Sequence, residues 1–292
     1  MLERAFGHIS PYPEGSCFAS RAELSRAGLH RPLIAGISGR GQEGADSIVL
    51  SGGYEDDQDF GDEILYTGHG GRDLETGQQV GHQTLIRGNL ALAFNKLSGL
   101  PVRVIRGAVP HSLYSPEIGY RYDGLYRVED YWRERGRSGF YIWRYRLKKM
   151  PGSLQLGPAV MEEQGSALYP PRQLTTVLRL VRDTEQARQI KALYHYRCQM
   201  CQVRLEGPAG PYAEAAHIRP LGTPHHGPDS SDNILCLCPN HHVLFDLGGV
   251  AIADEFTLIG QEGRLLVDFR HSINKDHLRY HREHYWIDPT ED

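Results

Sequence analysis

Short apolar runs broken by glycine-rich turns dominate the first half of the chain. Ile48-Val49-Leu50, Val102-Arg103-Val104-Ile105 and Phe140-Tyr141-Ile142-Trp143-Arg144-Tyr145 are rich in β-branched and aromatic residues, and each reads as a strand. Gly52-Gly53, Gly68, Gly70-Gly71 and Asp123-Gly124 read as the turns between strands. Helical periodicity is clearest at about 83–98, where Leu85, Leu90, Leu92, Phe94 and Leu97 supply an apolar face. The pattern predicts a β-rich domain over residues 1–150, either a curved sheet or a barrel, with few helices.

Breakers then crowd together. Pro151-Gly152, Gly157-Pro158 and Pro170-Pro171 mark a linker region over 151–182, with one short strand expected at Leu174–Val181. The remainder, 183–292, forms a second domain. It opens with a helix from about 184 to 195, for which Asp183 is the expected N-cap and Gln186 follows three residues on. A helix over about 272–286 closes the chain. Between them, the run before His217 reads as a strand, and Pro220, Gly222 and Pro224 impose a loop. Ile234-Leu235-Cys236-Leu237 reads as a second strand, and Cys238-Pro239-Asn240 starts a helix. The expected class is α+β.

At 292 residues the chain is long enough for two cores. Charged residues are 23% and apolar residues 40%, as in globular proteins. No run of eighteen apolar residues exists, which argues against a membrane helix. Met-Leu-Glu-Arg-Ala-Phe-Gly-His lacks an apolar signal core, so a cytoplasmic location is expected. The net charge of −4 hides a strong segregation. Residues 39–75 hold ten Asp/Glu against two Lys/Arg, whereas residues 101–149 hold eleven Lys/Arg against five Asp/Glu. A local basic face is all that phosphate binding needs; a solvated arginine-rich surface explains the same counts.

Four of the five cysteines lie between 198 and 238. In an unsecreted chain that favours a metal over disulfides. Cys198 and Cys201 form one pair with a two-residue gap, and Cys238 and His241 repeat the gap, so four ligands can converge tetrahedrally on zinc. Cys236 has no partner at that spacing and reads as a buried core thiol, the alternative being a ligand. Cys17 reads as an ordinary buried or partly buried cysteine. His225 and His226 read as surface-loop histidines.

The residues from 198 to 246 resemble the HNH, or ββα-metal, nucleases. The run Ala216-His217-Ile218 with Pro220, the pair Asp232-Asn233, and Leu237-Cys238-Pro239-Asn240-His241-His242 with Leu244-Phe245-Asp246 carry the likeness, closest to the McrA-type branch. The resemblance implies a zinc-stabilised domain that hydrolyses phosphodiesters with catalytic residues His217, Asn233 and His242. Neutral histidine suits general-base work near pH 7, which fits His217. His242 would ligate a catalytic Mg²⁺ or Mn²⁺, and Asn233 would fix the loop carrying His217 or contribute to that metal. Adjacent residues project about 100° apart on a helix, so His241 can face zinc while His242 faces phosphate. Many family members carry a ligand immediately before the first histidine. Ala216 stands there in this chain, so Glu214 or phosphate oxygens would complete the shell.

Residues 5–150 resemble the SRA, or YDG, domain. Ile37-Ser38-Gly39-Arg40, the run Gly44–Asp57, Tyr66-Thr67-Gly68-His69-Gly70-Gly71-Arg72-Asp73, and Arg121-Tyr122-Asp123-Gly124-Leu125-Tyr126 carry it. The resemblance implies a pocket for a flipped 5-methylcytosine or 5-hydroxymethylcytosine in double-stranded DNA. Tyr54 and Tyr66 match the stacking positions, Asp57 matches the acceptor for the cytosine amine, and Thr67, Gly36 and Ile37 match the remaining lining. Ordinary sheet packing is the competing explanation for the tyrosines. Arg40, Arg72 and the basic run over 133–149 are candidate phosphate contacts, whereas Arg121 and Asp123 are expected to stabilise the fold. Leu-Glu-Thr-Gly-Gln-Gln-Val-Gly-His after Asp73 lacks the Asn-Lys-Arg finger of hemimethyl readers, so their preference for hemimethylated CpG is not carried over to this chain.

Together the two resemblances imply a modification-dependent restriction endonuclease in a prokaryotic cytoplasm. One HNH centre cuts one strand, so a double-strand break implies a homodimer or two molecules meeting on DNA. The alternative is a non-catalytic reader of methylated DNA whose zinc module is structural.

Overall fold

The computed structural model describes residues 4–73, 76–110, 112–151, 184–208 and 210–286. The chain divides into two compact units, Met1–Leu178 and Arg179–Asp292. The linker expected over 151–182, the strand at Leu174–Val181 and Asp183 fall, Pro151 apart, outside the described residues.

The first unit contains β1 (Cys17–Phe18), α1 (Arg21–Arg26), β2 (Ile37–Gly39), β3 (Ala45–Leu50), β4 (Gln58–Asp59) and β5 (Glu63–Thr67). Helix α2 (Arg87–Ser98) and strands β6 (Val102–Gly107), β7 (Tyr120–Arg135) and β8 (Tyr141–Lys149) complete it. The strands form one sheet in the order β2-β3-β6-β7-β8-β5-β4, with β1 added beside β7. Among the described residues only β3 and β6 pair in parallel, and every residue of both is buried, as expected for strands covered on both faces. Among the described residues the path does not close from β2 to β4, which selects the curved sheet over the barrel. Bulges at Ser38/Gly39, Arg103/Ile105 and Val128/Asp130 supply bends along it.

Three sequence expectations need correction here. Asp123-Gly124 is not a turn but lies inside the 16-residue β7. Gly124 has φ +98°, and a Cβ there would sit 2.5 Å from Glu14 Oε2, so glycine permits a kink without ending the strand. Helix α2 begins at Arg87, and its inner face carries Leu92 among small and polar residues rather than a row of leucines. Leu97 is 49% exposed, whereas Ala91, Asn89 and Asn95 are buried. The reason is close approach: a Cβ on Gly39 would meet Ala91 Cβ at 2.7 Å. Asn95 accepts from Ala45 N and donates to Ala45 O and Leu100 O, tying helix to strand. Cys17, finally, is exposed, because the two-residue β1 lies at the rim of the sheet.

The second unit contains α3 (Glu185–Leu193), β9 (Leu205–Gly207), β10 (Gly210–Tyr212), β11 (Glu214–His217), β12 (Ile234–Leu237), α4 (Pro239–Asp246), β13 (Ala251–Ile252), β14 (Leu258–Ile259) and α5 (Lys275–His284). Thr184, rather than the expected Asp183, caps α3 by accepting from Ala187 N at 3.3 Å. Strands β11 and β12 pair antiparallel, with His217 opposite Ile234, and Pro239 opens α4 where its missing N–H costs nothing. The strand–loop–strand–helix order expected from the sequence is present. Its core joins Ala216, Ile218, Leu235, Leu237, Phe245 and Leu278 to Cys198 and Cys238. Among the described residues no helix is long and apolar enough to cross a membrane.

Candidate functional site

In the first unit, the turn after β3 and the end of β5 gather polar and aromatic groups. Tyr66 is 3% exposed within β5. Its neighbour Thr67 donates its backbone N–H to Asp57 Oδ1 at 2.7 Å, and Thr67 Oγ1 accepts from Arg144 Nη1 at 2.8 Å. Burial pushes the Asp57 carboxyl up to about 6, against the pull of Thr67 and Arg144. Burial likewise raises the Tyr66 hydroxyl well above its ordinary value, with Asp57 and then Tyr54 adding to the rise. These three side chains therefore sense one another.

Tyr54 is held by two further neighbours. Its hydroxyl accepts from Gly70 N at 3.2 Å, and the Arg72 guanidinium lies 4.7 Å from its ring centroid. Arg72 also donates to Gly77 O at 2.6 Å. Gly36 lies hard against Tyr66: a Cβ there would stand 2.7 Å from Tyr66 Oη. Ile37 points into the core beside it. The structure thus brings Gly36, Tyr54, Asp57, Tyr66 and Thr67 into one neighbourhood. Asp57 is not an unfilled acceptor, since Oδ1 already has a donor.

In the second unit, Cys198, Cys201, Cys238 and His241 present ligand atoms all within 4.8 Å of one another. Cys201 and Cys238 sulfurs are 3.9 Å apart, and His241 Nδ1 lies 3.5 Å from Cys198 Sγ and 3.3 Å from Cys238 Sγ. Sulfurs bound to zinc at about 2.3 Å at tetrahedral angles lie about 3.7 Å apart, so the cluster fits zinc. Cys236 is elsewhere: it packs with Ile190, Tyr194, Ala213 and Ile234, and burial pushes its thiol up to about 12. It is a core thiol.

His217 ends β11 with Nε2 2.9 Å from Asp229 Oδ1. A carboxylate only accepts, so Nε2 carries a proton, and in the neutral ring Nδ1 is then the lone-pair nitrogen. His242 Nδ1 lies 2.7 Å from Glu214 Oε2, and Glu214 Oε1 accepts from Tyr212 Oη at 2.7 Å. The same logic leaves His242 Nε2 as the lone-pair nitrogen, 3.6 Å from Asp246 Oδ2 one helical turn on. Asn233 is wholly buried. Its Oδ1 accepts from Arg219 N, and its Nδ2 donates to Arg219 O and Pro228 O, at 2.8–2.9 Å. Both polar atoms are committed to backbone, which closes the loop between β11 and β12.

Comparison with known proteins agrees with this geometry. Residues 5–153 match the SAD/SRA domain family, and residues 198–253 match the HNH endonuclease family. A modification dependent TagI restriction endonuclease of known structure is 44% identical, with 97% of this chain and 96% of that one covered and a TM-score of 0.52. The chain belongs to the modification-dependent restriction endonucleases, with an SAD/SRA domain joined to an HNH endonuclease domain. Its SAD/SRA domain also resembles part of E3 ubiquitin-protein ligase UHRF1 of Danio rerio, 46% identical over 165 residues, which is 49% of this chain and 21% of that protein. A UHRF1-like protein of Cryptococcus neoformans var. grubii is 45% identical over 159 residues, 50% of this chain and 46% of that protein. The chain thus spans only about a fifth of the UHRF1 ligase and under half of the fungal protein.

Within the SAD/SRA domain the basic residues divide. Arg40 is exposed, whereas Arg72 is engaged with Tyr54 and Gly77. Arg144, counted in the basic run over 133–149, is 2% exposed and braces Thr67, the Asp56 carbonyl and Glu134. It shares a strand face with the buried Ile142 two residues earlier, and its guanidinium is spent on these partners, so it is not a phosphate contact. Arg121 and Asp123 do stabilise the fold, in a network with Arg106 and Asp59.

Within the HNH domain, His225 is a correction. It is wholly buried, with Nδ1 2.8 Å from Tyr280 Oη and Nε2 3.2 Å from Tyr285 Oη of the closing helical segment. The loop turns back so tightly that a Cβ on Gly227 would fall 2.0 Å from Arg219 O, and this carries His225 inside. His226 is exposed, as expected. Sequence reasoning passed over Asp229 and gave Asp246 no role. Asp229 lies in an Asp-Ser-Ser-Asp-Asn run that resembles any polar loop, whereas the four-residue step from His242 to Asp246 on a helix was a usable signal.

Proposed function

We propose that this enzyme flips 5-methylcytosine or 5-hydroxymethylcytosine out of double-stranded DNA and cuts the backbone nearby. The base would stack between Tyr54 and Tyr66, and its amine would donate to Asp57, with Thr67, Gly36 and Ile37 completing the lining. The observation that carries the reading is the buried carboxylate of Asp57 set among two tyrosines on the same chain as a paired His217–Asp229 centre.

Catalysis follows from the second unit. His217, with its proton held on Nε2 by Asp229, would take a proton from water at Nδ1. Asn233 would position it by closing the loop. His242 Nε2 and Asp246 would hold Mg²⁺ or Mn²⁺, a cation that stabilises charge on the cleaved phosphate when bound. Glu214 supports His242 from behind rather than ligating first, as carboxylate–histidine pairs do at metal sites. Cys198, Cys201, Cys238 and His241 would hold zinc. Arg40 would contact backbone phosphate, and Arg72 would serve DNA indirectly through Tyr54. The linker over 151–182 would separate an SRA domain over 1–150 from a nuclease domain over 183–292. A homodimer acting on cytoplasmic DNA would supply the second cut.

Matched methylated and unmethylated plasmids with Mg²⁺ or Mn²⁺ test this. Selective cutting of the methylated plasmid is expected. Equal cutting rejects the substrate, and binding without cutting under either cation makes the chain a non-catalytic reader.

The Asp57 carboxyl also gives binding a pH dependence. Acceptance from the amine needs the ionised form, so affinity for the methylated duplex should fall as pH drops through about 6. Stability runs the other way: a raised carboxyl value favours the protonated folded state, so the empty domain loses stability as pH rises from about 4 through 6. Asp57→Ala should weaken methylated-duplex binding by about tenfold or more and flatten the pH profile, as titrations at pH 5 and pH 8 would show.

A further inference from the structure

The segment entering the base pocket is pinned by side chains that play no part in the sheet. Leu33 is 60% and Ile34 is 94% exposed. Their carbonyls are nonetheless engaged. Arg21, the first residue of α1, donates from Nε to Leu33 O at 3.4 Å and from Nη2 to Ile34 O at 3.1 Å and to Ala35 O. His30, wholly buried, sets Nε2 2.9 Å from the same Ala35 O, and its Nδ1 lies 2.9 Å from Ser47 Oγ on β3. A carbonyl only accepts, so Nε2 carries a proton. His30 thereby ties the segment to the sheet.

We propose that Arg21 and His30 are positioning residues that fix the shape of the modified-base pocket by clamping residues 33–35. This rests on the pocket reading above. The path is short. Ala35 precedes Gly36, whose carbonyl accepts from Val49 N at 2.8 Å and whose Cα faces the Tyr66 hydroxyl with no room for a methyl group. A slide of Ala35 passes straight into the wall against Tyr66. Three residues with solvent-facing side chains would otherwise be free to move, and ordering them on DNA would weaken binding. The clamp places that ordering in the folding step instead.

The test is binding of the full chain, without added Mg²⁺ or Mn²⁺, to matched duplexes with and without one 5-methylcytosine, followed by fluorescence anisotropy. Arg21→Ala should lower affinity for the methylated duplex about tenfold, leave the unmodified duplex unchanged and preserve the melting temperature. Arg21→Lys, which can reach fewer carbonyls, should fall between. His30→Gln keeps a donor for Ala35 O and should discriminate better than His30→Ala; if His30→Ala fails to fold, the Arg21 series decides. Equal loss on both duplexes would make Arg21 a phosphate contact and overturn the clamp, as would unchanged discrimination in Arg21→Ala. A wild type with no preference for the methylated duplex would overturn the pocket reading itself, a separate outcome visible in the control.

Discussion

His217→Ala should lower cleavage of methylated DNA by about a thousandfold while leaving affinity for the methylated duplex within about twofold. The separation is the point: His217 stands in the second unit, and Tyr54, Asp57 and Tyr66 in the first. Asp229→Asn sharpens the test. An ionised Asp229 can only accept, so it holds the His217 proton on Nε2. An asparagine amide can donate, which would let the ring proton move to Nδ1 and block the nitrogen that should attack water's proton. Cleavage should therefore drop without loss of folding, and nitrogen-15 shifts of the His217 ring should report the altered tautomer. Near-wild-type cutting by His217→Ala would move the general base elsewhere.

Much of this site was legible because its chemistry is local. Cys198 with Cys201, and Cys238 with His241, declare a tetrahedral cluster through spacing alone, and the cluster forms. The α4 pair was legible for the same reason, since adjacent helical residues must diverge, and His241 and His242 do engage different partners. What stayed hidden depends on contacts distant in sequence. Asp229 meets His217 only because Asn233 draws the loop closed. His225 looked like a loop residue until Tyr280 and Tyr285 covered it. In the sheet, apolar runs located β3, β6 and β8, yet β7 was missed. Its alternation is broken by Asp123 and Asp130, which are buried, and whose partners Arg106 and Lys96 are supplied by tertiary contacts. Leucine periodicity located only part of the inner face of α2, because a helix lying close against backbone buries alanine and asparagine beside Leu92.

Removing the zinc proposed for the Cys198–Cys201–Cys238–His241 cluster should unfold the second unit and spare the first. The strands of the second unit have two to four residues each, too short to hold as isolated pairs. Cys198 and Cys238 are part of the same core as Leu235, Leu237 and Phe245, so the ligands stand inside the packing they would organise. Structural zinc contributes about 10–16 kcal/mol in small modules, against a whole-domain stability of about 5–15 kcal/mol. Loss of the ion therefore outweighs the margin. Cys198→Ser, or treatment with a strong chelator, should remove one of two thermal transitions and abolish zinc content, while methylated-duplex binding by the SAD/SRA domain persists. Cys236→Ala is the control: its thiol packs against Ile190 and Tyr194, so zinc content should be unchanged and only a modest packing loss of about 1 kcal/mol is expected. Two transitions that survive complete removal of zinc would show that packing alone holds the second unit, and that the four ligands serve some purpose other than structure.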